Sequence, residues 1–188
     1  MKLQTILFED MQALVCFFIS DGSVCNGPVG YGACAAVLFP NVNNGDTQIV
    51  KKPIGNLVCS EKCEMEGVIL GLEMSAEYLR GTVSTVTNQK LFLFCDCATV
   101  IDKFHLFELH MYPDILHRLH TVLCPLHELQ VSVNMVKIPG HISIIGNSIA
   151  GLKAKETLHM LLFGNISVPD NITFSNACKI SADIAAKS

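Results

Sequence analysis

The sequence predicts one mixed α/β domain, and three observations carry that expectation. The 188 residues, half of them hydrophobic and 16% charged, are enough to bury one sizeable core. Two short runs, Val15 to Ile19 and Leu91 to Cys95, are wholly apolar, as strands buried on both faces are. Between and after them the apolar residues follow the helical period of about 3.6. No repeat, charge block or low-complexity tract divides the chain.

Taken in order, Val15 to Ile19 forms the first strand and stops at the turn-like Ser20-Asp21-Gly22-Ser23. Asn26-Gly27-Pro28-Val29-Gly30 turns the chain into a second strand, Tyr31 to Phe39, closed by Pro40. Asn43-Asn44-Gly45-Asp46 signals another turn, and Thr47 to Lys51 is an edge strand completing a three-stranded meander. Met65, Val68, Ile69, Leu72, Ala76 and Leu79 then fall on one stripe of an amphipathic helix running from near Ser60 to Gly81. Leu91 to Cys95 follows, with a short helix to Lys103. Pro113 opens a helix that ends before Pro125. Gln130 to Val136 alternates like a strand, and Asn147 caps a last helix with Ala150, Ala154, Leu158, Leu161 and Leu162 on one face. The order is βββ-α-β-α-α-β-α.

Several function classes fall away at this stage. The longest uncharged stretch, Gly22 to Gly45, carries Pro28, Pro40 and several Gly and Asn, which no membrane span combines. The opening apolar run reaches Glu9 and Asp10 too early for a signal-peptide core, so an intracellular location, nucleus or cytoplasm, is expected. A net charge of −4 gives no whole-chain signal for nucleic acid, so any such binding is local. Nine cysteines cannot all pair, and they read as small buried hydrophobes rather than a disulfide framework. Cys59 with Cys63, Cys95 with Cys97, and His117 with His120 lack the spacing of a zinc finger or ribbon.

The chemistry is expected where two apolar strands each run into an aspartate. Ligands of open α/β sheets bind beyond the carboxyl ends of strands, so Asp21 and Asp96 converge if their strands are parallel neighbours. On the long helix Glu64, Gly67 and Gly71 form a line beside the apolar stripe, and the two glycines let the helix approach the sheet and bring Glu64 over the strand ends. Clustered carboxylates titrate upward unless a cation neutralises them, and hard oxygen ligands suit Mg²⁺ or Mn²⁺.

Ile19-Ser20-Asp21-Gly22-Ser23 with Gly30-Tyr31-Gly32-Ala33 resembles the opening hairpin of type 1 ribonuclease H domains. The resemblance continues, in the family's order, through Ser60 and Glu64-Met65-x-Gly67-Val68-x2-Gly71-Leu72, Phe94-Cys95-Asp96-Cys97, Ile138-Pro139-Gly140-His141 and Gly146-Asn147-x2-Ala150. The last two elements look most like the ribonuclease H domain of non-LTR retrotransposon polyproteins. The resemblance implies a ribonuclease H-like domain over residues 12–163 and a tail over 164–188. It implies a five-stranded mixed sheet, an antiparallel meander plus two parallel strands, flanked by helices. It further implies hydrolysis of the RNA strand of RNA–DNA hybrids with Mg²⁺ or Mn²⁺. Asp21, Glu64 and Asp96 then stand as metal-binding and catalytic acids, and His141 as a loop histidine assisting proton transfer or product release. Gly22, Ser23, Asn26 and Asn147 stand as nucleic-acid contacts, and the chain as a monomer or part of a larger polyprotein.

The chain departs from the family pattern at informative places. Gly151 stands where a fourth carboxylate should follow Ala150, with Ser148 in place of an acid and Leu152-Lys153 out of register with the expected apolar pattern. Cys97 and Ala98 replace a serine and a polar groove contact, and Lys103 and Arg118 are the only Lys or Arg residues between Cys97 and Gln130. Impaired turnover and weak hybrid binding are therefore expected. The alternative is a catalytically inactive module of the same fold that binds nucleic acid or protein.

Overall fold

The computed structural model describes residues 15–25, 30–40, 47–56, 58–81, 89–106, 108–139 and 144–164. Five strands, β1 (Val15–Cys25), β2 (Tyr31–Phe39), β3 (Gln48–Asn56), β4 (Lys90–Cys95) and β5 (Ser132–Lys137), form one sheet in the order β3-β2-β1-β4-β5. β1, β2 and β3 pair antiparallel, whereas β4 pairs parallel to both β1 and β5. The helices are α1 (Ser60–Gly81), α2 (Ala98–His105), α3 (Pro113–Glu128) and α4 (Ile145–Phe163). The expected mixed α/β class, element order and five-stranded sheet are all present.

The short helix after β4 runs on to His105 and β5 is Ser132–Lys137, each within two residues of expectation, and four other boundaries differ for a visible reason. β1 does not stop at Ile19: β2 keeps pairing with it to Cys25↔Tyr31, so Asp21 and Gly22 lie opposite Ala35 and Cys34 instead of in a turn. β3 runs past Lys51 to Asn56 because Pro53 lies on an edge strand, where its missing N–H is tolerated, opposite Ala33 and beside a register shift. α3 continues through Pro125, since the buried Leu126 holds the last turn to the core and only one backbone bond is lost. α4 begins at Ile145, which places Asn147 inside its first turn, not at its cap.

Side-chain alternation along β1 assigns the two faces. Cys16 and Phe18 join the large core formed with α1, α2 and α3, while Ile19 joins a smaller cluster with Phe94 and Ile138 on the opposite face. All six apolar residues of the predicted α1 stripe are buried. On α4, Ala150, Ala154 and Leu158 are fully buried, but Leu161 and Leu152 point outward.

α1 crosses β1 in step with it. A Cβ on Gly71 would collide with the Phe18 ring, one on Gly67 would lie 3.3 Å from Ser20 Cβ, and one on Gly22 would lie 2.6 Å from the Glu64 backbone nitrogen. Four helical residues rise about 6 Å and two strand residues about 6.6 Å, so each helical turn meets the next same-face residue of the strand. That match, running antiparallel, carries the first turn of α1 to the level of Asp21.

Candidate active site

The parallel register of β1 and β4 sets the first pair of acids. Hydrogen-bonded pairing ends at Ile19↔Phe94, and two more residues along each strand lie Asp21 and Asp96. Their carboxyl groups are near enough for Asp96 to raise Asp21 electrostatically. α1 delivers the third acid: Glu64 hydrogen-bonds Asp21, and the Gly22 backbone N–H donates to this pair. Ligand atoms of Glu64, Asp96 and Cys95 lie within 4.8 Å of one another. The structure thus brings Asp21, Glu64 and Asp96 together just past the point where β1 and β4 stop pairing.

The cluster is electrostatically uncompensated. Burial, then Asp21 and then Asp96, push Glu64 up to about 9, and burial followed by Asp96 pushes Asp21 up to about 6. Burial and mutual repulsion thus make the Glu64–Asp21 pair hold a proton to higher pH than free carboxylates do. Among the described residues no lysine or arginine forms an ion pair with any of the three acids, and Lys155 only weakly lowers Asp21. Glu64 Oε2 is buried with no hydrogen-bond partner. Buried carboxylates without a cation are costly, and this donor set fits a divalent cation.

α4 closes the site from the other face. Asn147, 8% exposed, donates from Nδ2 to Asp96 Oδ2 at 3.2 Å. It acts on the acid, where the sequence suggested a helix cap. Gly151 faces the cluster directly, since a Cβ there would lie 2.5 Å from Asp21 Oδ2. The position where a fourth carboxylate was expected is thus in the site, and it is empty of one.

The other candidates divide. Gly22 and Ser23 are half-buried on β1, Gly22 pressed against the start of α1. Asn26 and His141 lie outside the described residues, as do the turn at 43–46 and all of the tail after Gly164. Lys103 pairs with Glu61 at 3.0 Å, and Arg118 pairs with Glu66 and Glu73, so neither cation of the segment from Cys97 to Gln130 is left for phosphate. Cys95 was missed as a site residue. Its apolar strand context signalled burial, and only its place beside Asp96 hinted that the thiol would approach the acids.

No protein-family model and no curated protein matches the chain in sequence. Solved structures do match in shape. A ribonuclease H1 from the archaeon Halobacterium salinarum covers 77% of this chain and 98% of its own, with 19% identity and a TM-score of 0.56. LC11 ribonuclease H1, solved in complex with an RNA/DNA hybrid, covers 78% and 99%, with 16% identity and a TM-score of 0.58. The N-terminal ribonuclease H domain of a Mycobacterium tuberculosis protein covers 78% and 95%, with 17% identity and a TM-score of 0.57. The fold is that of ribonuclease H. Within this ribonuclease H fold, no described helix is long and apolar enough to cross a membrane.

Proposed function

We propose that this chain is a ribonuclease H-type hydrolase that cleaves the RNA strand of RNA–DNA hybrids, with turnover limited by Gly151. The observation that carries this reading is the convergence of Asp21, Glu64 and Asp96 where β1 and β4 stop pairing, with no described lysine or arginine in an ion pair with them. LC11 ribonuclease H1, of the same fold, was solved with such a hybrid, which supports the substrate class.

Asp21, Glu64 and Asp96 would hold Mg²⁺ or Mn²⁺, which when bound supplies positive charge to activate a water and to stabilise the leaving oxygen. The chain's own residues set the conditions. Asn147 fixes Asp96 by its amide, and the bare backbone of Gly22 lets α1 bring Glu64 to Asp21. A proton retained by the Glu64–Asp21 pair must leave before both carboxylates can ligate. His141 is proposed to relay a proton, and Ser23 and Asn26 to touch the substrate backbone. The catalytic unit is proposed to span 12–163, with 164–188 as a tail, and the Pro-Gly-His and Gly-Asn-x-x-Ala elements suggest derivation from a retrotransposon polyprotein.

The test is cleavage of a labelled RNA–DNA hybrid by the full chain with Mg²⁺ and with Mn²⁺, beside single-stranded RNA. Slow hybrid-specific cleavage, abolished in Asp21→Asn, is expected; no cleavage with either ion rejects the reading. A second reading, an inactive ribonuclease H fold kept for binding, is favoured by one observation: Gly151 faces Asp21 with no fourth carboxylate. A hybrid gel shift without cleavage would select it.

A further inference from the structure

The acid cluster includes a donor that the hydrolase reading does not use. Cys95 closes β4 with its side chain fully buried, and its Sγ lies within 4.8 Å of ligand oxygens of both Glu64 and Asp96. Three ligands about a tetrahedral ion at typical Zn–S and Zn–O distances stand about 3.3 to 3.8 Å apart, so an inward adjustment of at most about 1.5 Å completes the shell. Cys95 Sγ accepts from the Cys97 backbone N–H at 3.4 Å and donates to the Cys97 carbonyl at 3.9 Å, and burial pushes the thiol up to about 12, so an ion must displace its proton to bind. Two further groups mark a place for a ligand. Asn147, more than nine-tenths buried, bonds Asp96 through Nδ2 and leaves Oδ1 without a partner, and Glu64 Oε2 is likewise buried and unpartnered.

We propose that Cys95, Glu64 and Asp96 form a mixed sulfur–oxygen site that takes one thiophilic divalent cation, of the zinc, cobalt or cadmium class, in preference to Mg²⁺. The proposal rests on the reading of these acids as a metal centre and deepens it by naming the ion class. A thiolate discriminates strongly against Mg²⁺, a hard ion that demands octahedral oxygen coordination, and favours Zn²⁺ and its analogues. Binding breaks the Cys95 S–H bond, forms an S–metal bond and releases the proton to solvent, with no change of oxidation state. Three protein ligands leave a fourth position open to water or to a substrate oxygen. Glu64 and Asp96, both only partly buried, keep that position accessible. A thiophilic ion seated there excludes Mg²⁺ from the same carboxylates, so zinc in this class acts as an inhibitor of Mg²⁺-supported cleavage.

The test titrates Co²⁺ alone into the reduced full chain and follows the sulfur-to-cobalt charge-transfer absorption. The expected result is one band saturating at one equivalent, weakened at least tenfold in affinity by Cys95→Ser and retained in Cys97→Ser and Cys124→Ser. Because Cys95→Ser buries a hydroxyl and can cost folding, cadmium NMR of the unmodified chain gives a second reading. A resonance in the range of one sulfur with oxygens supports the site, and one in the all-oxygen range overturns it. A band that survives Cys95→Ser but is lost in Cys124→Ser assigns the ion to Cys124 and His120 on α3, which lie 3.8 Å apart, and also overturns it. Neither measurement uses nucleic acid. A chain inert toward hybrids with a Cys95-dependent band loses the hydrolase reading and keeps this site, whereas Mg²⁺-supported cleavage without a band does the reverse.

Discussion

Helix α1 contributes to two groups of carboxylates, Glu66 and Glu73 to one and Glu64 to the other, and the fold treats them in opposite ways. Glu66 and Glu73 face α3, where Arg118 donates to Glu66 at 2.6 Å and to both oxygens of Glu73 at 2.9 and 2.8 Å. Lys52 on β3 adds a bond to Glu66 at 3.0 Å. Glu64, two residues from Glu66, meets Asp21, Asp96, a backbone N–H and a thiol among the described residues, and no ion-pair partner there. The first group is an internal ion-pair network that ties α1 to α3 and β3. The second assembles its anions with no described lysine or arginine in ion-pair contact, a donor set that fits a divalent cation.

Removing the built-in cation should break the first group most severely. Arg118→Ala leaves the buried Glu66 with Lys52 alone, and loss of one partner of a buried pair costs about 3 kcal/mol or more. Urea unfolding should show that loss, while Glu64→Gln in the presence of a chelator should hold or raise stability. If both variants lose stability equally, the two groups are not different in kind.

Supplying an anion to the second group should act on rate. Gly151→Asp adds a ligand beside Asp21, and hybrid cleavage should rise at least roughly tenfold, about 1.4 kcal/mol of barrier. Because a Cβ at position 151 would lie 2.5 Å from Asp21 Oδ2, the Asp21 side chain must shift to make room. Gly151→Ala makes the same displacement without adding a ligand. Its gain in helix propensity, about 1 kcal/mol, is offset by that contact, so cleavage should fall and stability change little.

The two groups should also differ in pH dependence. Glu64 and Asp21 have folded values raised to about 9 and about 6, against ordinary values of 4.5 and 3.8. The folded chain therefore binds more protons than the unfolded chain from about pH 4 to pH 9, and the contribution of these groups to stability falls as pH rises through that window. Melting temperatures in chelator should decline from pH 5 to pH 9 more steeply for the wild type than for Glu64→Gln. Parallel profiles would mean that Glu64 is not held protonated. The Arg118 guanidinium, which stays charged throughout, should add no slope there.

Much of this contrast was legible in the sequence, and the part that was not has physical causes. Asp21 and Asp96 each follow an apolar run, and Gly67 and Gly71 mark the helix face that must approach the sheet, so the acids could be paired before any coordinates. Asp21-Gly22 reads locally as a turn, and only its pairing with Ala35 and Cys34 across β2 keeps it extended. Pro53 and Pro125 look like terminators, but an edge strand and a last helical turn each tolerate a missing N–H. Asn147 has the chemistry of a cap, yet starting α4 two residues earlier turns its amide onto Asp96. Cys95 is invisible to spacing rules because its partners are carboxylates from two other places in the chain, not cysteines nearby.

Calorimetric titration of Mn²⁺ into the full chain tests the contrast most directly, comparing wild type with Glu64→Gln and Glu73→Gln. The account predicts a site in the wild type that Glu64→Gln removes and that Glu73→Gln leaves intact, since Glu73 already has its cation in Arg118. Equal Mn²⁺ affinity in wild type and Glu64→Gln would contradict it.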